Sequence, residues 1–282
     1  MSTSTLSAIL SVGILTISVP ILVLIVWCVK TKAKVLPALT GAIIFLIFAR
    51  ILEMFPHIFF LYMDTPVSRI ITATPILYAL YAGLVAGLFE ETGRFVAFRF
   101  LQKKTSGKET AITYGIGHGG FESMSVVGFG FIQYFSIALM IHNGSINALL
   151  SSTTGDELTS LQSIVSLISS MTVGTCALTV LERAYAFIFH IALSVIVYYA
   201  VQKPEKKWLF PVAILLHTGH FCRTLPDGCL TTHCNRSHWY YLYRSGDSLV
   251  APHLYNRRRY ESFSKERLTY VHRYHYHKKS NS

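Results

Sequence analysis

Apolar residues in this chain are gathered into long unbroken runs, with few of the short alternating or amphipathic stretches that mark a soluble domain. Runs over residues 6–29, 36–63, 70–101, 111–141 and 174–201 each reach the roughly 20 residues a helix needs to cross a hydrocarbon layer, and a sixth opens at Trp208. This pattern predicts an all-α polytopic transmembrane helix bundle with five complete spans plus a truncated sixth. The first run lacks a basic start and a small-residue cleavage site, so it reads as a retained helix and not as a secretory signal.

The short polar connections alternate in charge. Lys30, Lys32 and Lys34 fill the first, Lys103, Lys104 and Lys108 the third, and Lys203, Lys206 and Lys207 the fifth, whereas Arg69 is the only Lys or Arg of the second and fourth. By the positive-inside rule the N-terminus faces outward and the chain is a multi-pass protein of the cell membrane. The long fourth connection holds apolar residues at helical spacing over 158–171 among serines and threonines, and reads as an interfacial helix.

Composition agrees: 52% of residues are hydrophobic and 14% charged, which excludes a soluble globular protein. A net charge of +11 would suggest a nucleic-acid partner in a soluble chain. Here the loop cations sit just beyond the ends of spans, which membrane orientation explains, so the expected partners are membrane lipids and no nucleic acid is expected. Cys28 and Cys176 lie in or beside apolar runs, and the cysteine pattern argues no disulfide framework.

From Thr218 the character changes. Residues 218–282 hold no isoleucine or methionine, one alanine, seven histidines, and eleven Lys or Arg against four acids. The chain therefore divides into a helical membrane domain, 1–217, and a basic His/Tyr/Arg-rich tail, 218–282, expected to be disordered. Two readings of the tail stay open, a native basic extension or the product of a shifted reading frame, because the change falls about ten residues into the sixth run. Cys222, Cys229, Cys234 and His238 follow no regular zinc-knuckle spacing.

The candidate chemistry lies inside the spans. Ionisable groups there cost about 3 kcal/mol each on insertion scales and so face a partner or a wet cavity. The third run carries Glu90, Glu91 and Arg94, the fourth His118 and Glu122, the fifth Glu182, Arg183 and His190, and the sixth His217. Counting 1.5 Å per residue from the basic end of each run puts Glu91, His118, His190 and His217 at roughly 10 to 17 Å depth, in one layer. Glu90 and Arg94, like His118 and Glu122, are one turn apart and share a face. Three imidazoles with an open position and a free carboxylate is the layout of a catalytic zinc site. His118, His190 and His217 are the expected metal ligands, Glu91 or Glu90 the general base, and Glu122 a hydrogen-bonding partner of a ligand or a fourth ligand. Arg94, Glu182 and Arg183 read as charge partners. Arg50, Glu53 and His57 form a separate polar stripe in the second run. Gly115, Gly117, Gly119 and Gly120 around His118 let another helix or an extended peptide come close.

At these residues the chain resembles the YhfC family of intramembrane metalloproteases, which is similar by motif to the CAAX prenyl endopeptidase and bacteriocin-processing superfamily. The resemblance rests on Glu90-Glu91 followed by Arg94, on Tyr114 four residues before His118, and on Leu181-Glu182-Arg183 leading to His190-Ile191-Ala192. It covers about residues 6–217. The match is looser after the later histidines, where Ser194 and Phe221 stand in place of an amide or carboxylate. The resemblance implies a bundle of about six to eight helices and a hydrolase that cuts a peptide or lipopeptide substrate, using a divalent metal such as zinc. Two other classes fit the same polar residues: a proton- or cation-coupled transporter with Glu90, Arg94, Glu122, Glu182 and His190 as a relay, and a catalytically silent membrane protein.

Overall fold

A computed structural model describes residues 1–105 and 107–224, with side chains to His220. Residues 225–282 and the side chains of Cys222, Cys229, Cys234 and His238 lie outside the described residues, and with them the expectations for the tail. Every regular element among the described residues is helical.

Helix α1, Thr3–Thr31, starts where Ser2 accepts a hydrogen bond from the Thr5 amide and ends at Lys32, whose left-handed backbone (φ 58°) stops it. Helix α2, Leu36–Phe45, has Pro37 in its first turn, where a missing N–H costs nothing. It runs on through wider π-helical turns at Leu46–Leu52, a short α3 at Met54–His57, and a second π-helical stretch at Ile58–Tyr62. Together 36–62 make one apolar span.

The next element departs from the single helix expected from residue 70. Helix α4, Pro66–Ala73, capped by Thr65, and helix α5, Pro75–Leu101, meet at 105°. Pro75 is the cause: its ring pushes the preceding residue out of the helical region, and Thr74 is extended (φ −113°, ψ 105°).

Helix α6, Lys108–Glu122, passes through a π-helical stretch at Ser123–Gly128 into α7, Phe129–Asn143. Gly144 (φ 81°) ends it in the left-handed conformation that a glycine adopts without strain. Two short helices, α8 (Ile146–Ser152) and α9 (Gly155–Ser169), fill the long connection, the second over the segment read as interfacial. Helix α10, Val173–Gln202, opens with a Thr172/Thr175 capping box. Helix α11, Leu209–Thr224, continues past His217, so the drop in hydrophobicity at Thr218 does not stop it. Among the described residues, four helices are long and apolar enough to cross a membrane, or five if α4 and α5 count as one bent span. The protein is an all-α, multi-pass membrane bundle.

Its large aliphatic side chains point outward, with Val29, Leu181, Ile188 and Leu215 all more than 60% exposed, while the interior holds a buried set of charged and polar groups. This is the arrangement hydrocarbon solvent favours, since lipid leaves apolar side chains no reason to turn inward. Helix α6 is central, packed against α1, α2 and α10, and α5 packs on α2, α10 and α11. The glycines of α6 serve these helix contacts. A Cβ on Gly115 would lie 2.6 Å from Ile191 Cα of α10, and one on Gly117 would collide with the Ala38 backbone of α2. On the opposing face, a Cβ on Gly41 would lie 2.8 Å from the His118 amide nitrogen. Two apolar clusters close the bundle on either side of the polar layer. One joins Ile9, Val12, Val127, Phe131 and Ile168, the other Phe98, Leu101, Tyr114, Leu193 and Val197.

Candidate metal centre

Four helices deliver the polar layer: α5 brings Glu90, Glu91 and Arg94, α6 brings His118 and Glu122, α10 brings Arg183 and His190, and α11 brings His217. Glu91, Arg94 and His118 have no exposed surface, so these charges are settled by one another and not by solvent.

Glu90 is the hub. Its Oε2 lies 2.9 Å from His118 Nε2 and 3.7 Å from His190 Nδ1, and its Oε1 lies 3.8 Å from His217 Nε2. Glu90, His118 and His190 each offer one ligand atom, all within 4.8 Å of one another, the one such group among the described residues. The rings converge as well, His118 to His190 at 5.5 Å and His190 to His217 at 5.3 Å between centroids.

Each participating side chain has a second fixed contact. His217 Nδ1 lies 2.7 Å from Glu91 Oε1, and the Arg94 guanidinium also donates to Glu91. Arg94 further reaches His190 Nδ1 and lies 3.6 Å from Glu90 Oε2. On the other edge of the His190 ring, Nε2 is 2.6 Å from Glu122 Oε2. Arg183 in turn donates to Glu122 Oε1 at 3.1 Å and to Glu182 Oε2 at 2.6 Å. The His190 carbonyl accepts the Ser194 hydroxyl at 2.7 Å, so the serine found where an amide was expected is spent on its own helix. Phe45 meets the His118 ring edge-on at 5.3 Å and Tyr114 stacks on it at 5.8 Å.

Whether these residues suit a metal ion is decided by their donors. Two imidazoles and a carboxylate make the His₂Glu set of catalytic zinc sites, which leaves a fourth position open. Among the buried atoms at the site that have no hydrogen-bond partner are Glu91 Oε2 and His118 Nδ1. Arg94 already shows that the adjacent carboxylates need a positive charge here, and a divalent cation among Glu90, His118 and His190 meets the same need. The donor set fits.

All the residues named from the sequence as site candidates therefore fall in one connected network. His118, His190, His217, Glu90 and Glu91 come together directly, Glu122 lies against His190, and Glu182 is joined through Arg183. Arg94, read from the sequence as a charge partner, pairs with Glu90 and Glu91 and is also in contact with a histidine of another helix. The Glu53 and His57 stripe forms its own hydrogen-bonded pair at 3.1 Å, and His57 Nδ1 meets the Tyr81 hydroxyl at 3.1 Å. Sequence reasoning passed over Tyr81, because a lone tyrosine in an apolar run carries no signal until its partner is known. His220, assigned to the tail by composition, stacks on Phe189 at 4.6 Å.

Comparison with known proteins agrees with this geometry. A family model described as YhfC intramembrane metalloprotease matches residues 15–220. The "Uncharacterized membrane protein YhfC" of Bacillus subtilis (strain 168) is 32% identical over 195 residues, which cover 69% of this chain and 74% of that protein. No solved structure matches the chain.

Proposed function

For a chain that belongs to the YhfC intramembrane metalloprotease family, we propose that Glu90, His118 and His190 hold a divalent metal, zinc by donor type, and that the centre hydrolyses a peptide bond within or at the membrane. The observation that carries this reading is the convergence of those three ligand atoms within 4.8 Å, from helices brought together by folding alone. A metal held there supplies Lewis acidity, polarising the substrate carbonyl and lowering the pKa of water.

The chain's own residues do the rest. The Glu122 carboxylate, 2.6 Å from His190 Nε2, favours the tautomer protonated there, which leaves Nδ1 facing Glu90, and Arg183 holds Glu122 in place. Glu91 is anchored through Oε1 by Arg94 and His217, and its partnerless Oε2 takes the proton of the attacking water and returns it to the leaving nitrogen. His217, its Nδ1 proton directed to Glu91, holds that carboxylate in the orientation a base needs. The apolar clusters on either side keep bulk water away, which strengthens each of these contacts.

Elemental analysis of the purified chain tests the proposal, with His118→Ala and Glu91→Gln variants beside the wild type. About one zinc per chain in the wild type and in Glu91→Gln, and none in His118→Ala, is the expected pattern for three protein ligands. Wild-type protein that takes up no metal would sink it.

A further inference from the structure

Away from this centre the bundle has a concave feature at the ends where the lysines of the first and third connections gather. A cavity of about 540 Å³ opens there between the end of α1, the start of α2, the end of α5 and the start of α6. That volume lies within the range of small-ligand sites, about 300 to 1,000 Å³. Its charge comes from Lys32, Lys34, Lys103 and Lys104, with Glu109 the single acid among its lining residues.

Lysines beyond a span end are ordinarily explained by orientation alone, but three observations set these apart. First, they line a shared cavity, although they come from two connections about 70 residues apart in the chain. Second, the cavity has a buried polar floor: Thr110 is 4% exposed and Thr113 0%, and the Thr113 hydroxyl accepts the Trp27 indole N–H at 2.9 Å. Third, the cavity lies at the ends of spans whose apolar side chains face outward, with Val29 (63% exposed) near the end of α1, Leu36 (42%) at the start of α2 and Phe100 (68%) near the end of α5. Cations around a hydroxyl-lined hollow, edged by lipid-facing aliphatic and aromatic side chains, match an amphiphile with an anionic head and hydrocarbon tails.

We propose that this cavity binds the phosphate group of an anionic phospholipid, with Lys32, Lys34, Lys103 and Lys104 on the phosphate oxygens and the acyl chains along Val29, Leu36 and Phe100. The lysines act as point charges on flexible stems, suited to a phosphate without demanding one geometry. The site is separate from the metal centre and does not depend on it, but α6 joins the two: Thr113 is five residues from His118 along one helix, about 7.5 Å of rise. An occupied cavity therefore ties α1, α2 and α5 to the helix that carries a metal ligand.

The test is native mass spectrometry of the full chain released from micelles containing equal amounts of phosphatidylglycerol and phosphatidylcholine. Retention of phosphatidylglycerol over phosphatidylcholine by at least about tenfold is expected, since each lysine near an anionic surface contributes about 1 kcal/mol. The Lys32→Gln/Lys34→Gln/Lys103→Gln/Lys104→Gln variant should fall to parity. Lys203→Gln/Lys206→Gln/Lys207→Gln, which removes a basic loop outside the cavity, should keep the preference. Melting in phosphatidylcholine alone checks that each variant folds, and Lys32→Gln/Lys34→Gln provides a milder form if the fourfold change does not. Inorganic phosphate is the competitor that identifies the source. If it leaves the lipid bound, the site is a lipid site; if it displaces the lipid and binds with the same lysine dependence, the ligand is free phosphate. Equal loss in both lysine variants, or no preference in the wild type, overturns the proposal.

Discussion

His190 Nε2 and Glu122 Oε2 lie 2.6 Å apart, while Nδ1 on the opposite edge of the same ring faces Glu90 Oε2 at 3.7 Å. A neutral imidazole has one donor and one acceptor nitrogen, so a carboxylate that takes the Nε2 proton leaves the Nδ1 lone pair turned into the centre, where Arg94 meets it and a bound metal would take its place. Glu122→Gln should therefore weaken metal binding about 10- to 100-fold with little loss of fold, the usual effect of removing a ligand's orienting partner. Competition with a metal chelator of known affinity reads this directly, and unchanged affinity would show that Glu122 does not orient the ring.

Arg94 sets a different expectation. It is fully buried and pairs with Glu90, Glu91 and His190, so removing it leaves buried carboxylates with less compensation. Arg94→Gln should cost about 3–5 kcal/mol, the range for a buried ion pair stripped of one partner. Added zinc should recover more stability in this variant than in the wild type, because a second cation then meets the charge that Arg94 no longer does. Thermal melting with and without metal checks this, and equal metal-induced shifts would show that Arg94 acts by packing and not by charge.

Much of this arrangement is legible in the chain because depth in a membrane is a matter of counting. Glu91, His118, His190 and His217 fall at one level by residue number alone, and the structure brings exactly that level together around Glu90. Rotation about each helix axis is harder to read. The π-helical stretches at Leu46–Leu52 and Ser123–Gly128 shift the faces of their helices by an amount no apolar run reveals. The 105° turn between α4 and α5 was marked by Pro75, but hydrophobicity continues across it and the proline alone does not say how far the helix turns. The pairing of Arg94 with the glutamates follows from their spacing, but its reach to His190 on α10 depends on helix rotation and could not be counted from the chain.

The close approach of α6 and α10 leads to a packing prediction. A Cβ on Gly115 would meet the Ile191 Cα at 2.6 Å and the Ser194 side chain at about 3.1 Å, whereas Gly130, in the following helix, has nothing within 4 Å. Gly115→Ala should destabilise by about 1–3 kcal/mol as the helices are forced apart. Because His118 and His190 lie on these same two helices, metal affinity should fall as well. Gly130→Ala should instead be neutral or slightly stabilising, by up to about 1 kcal/mol, since alanine favours a helix over glycine. Melting and zinc titration of both variants separate the cases, and similar behaviour of the two would mean that the α6–α10 contact is not tight.

Glu91 and His217 bear on chemistry more than on metal retention. Glu91 Oε1 is held by Arg94 and by His217 Nδ1 at 2.7 Å, while Oε2 is buried without a partner, a placement suited to accepting a proton and costly for any group without such work. Glu91→Gln keeps the shape and the hydrogen bond to Arg94 but removes the basicity, so it should lower peptide-bond cleavage by about 10²–10⁴-fold while leaving metal content near that of the wild type. His217→Ala should lower cleavage too, and with His217 gone the remaining Glu90, His118 and His190 should still bind metal. Measured together, metal content and cleavage distinguish base from ligand: loss of metal in Glu91→Gln would move Glu91 into the coordination sphere, and loss of metal in His217→Ala would make that histidine a fourth ligand and close the position reserved for water.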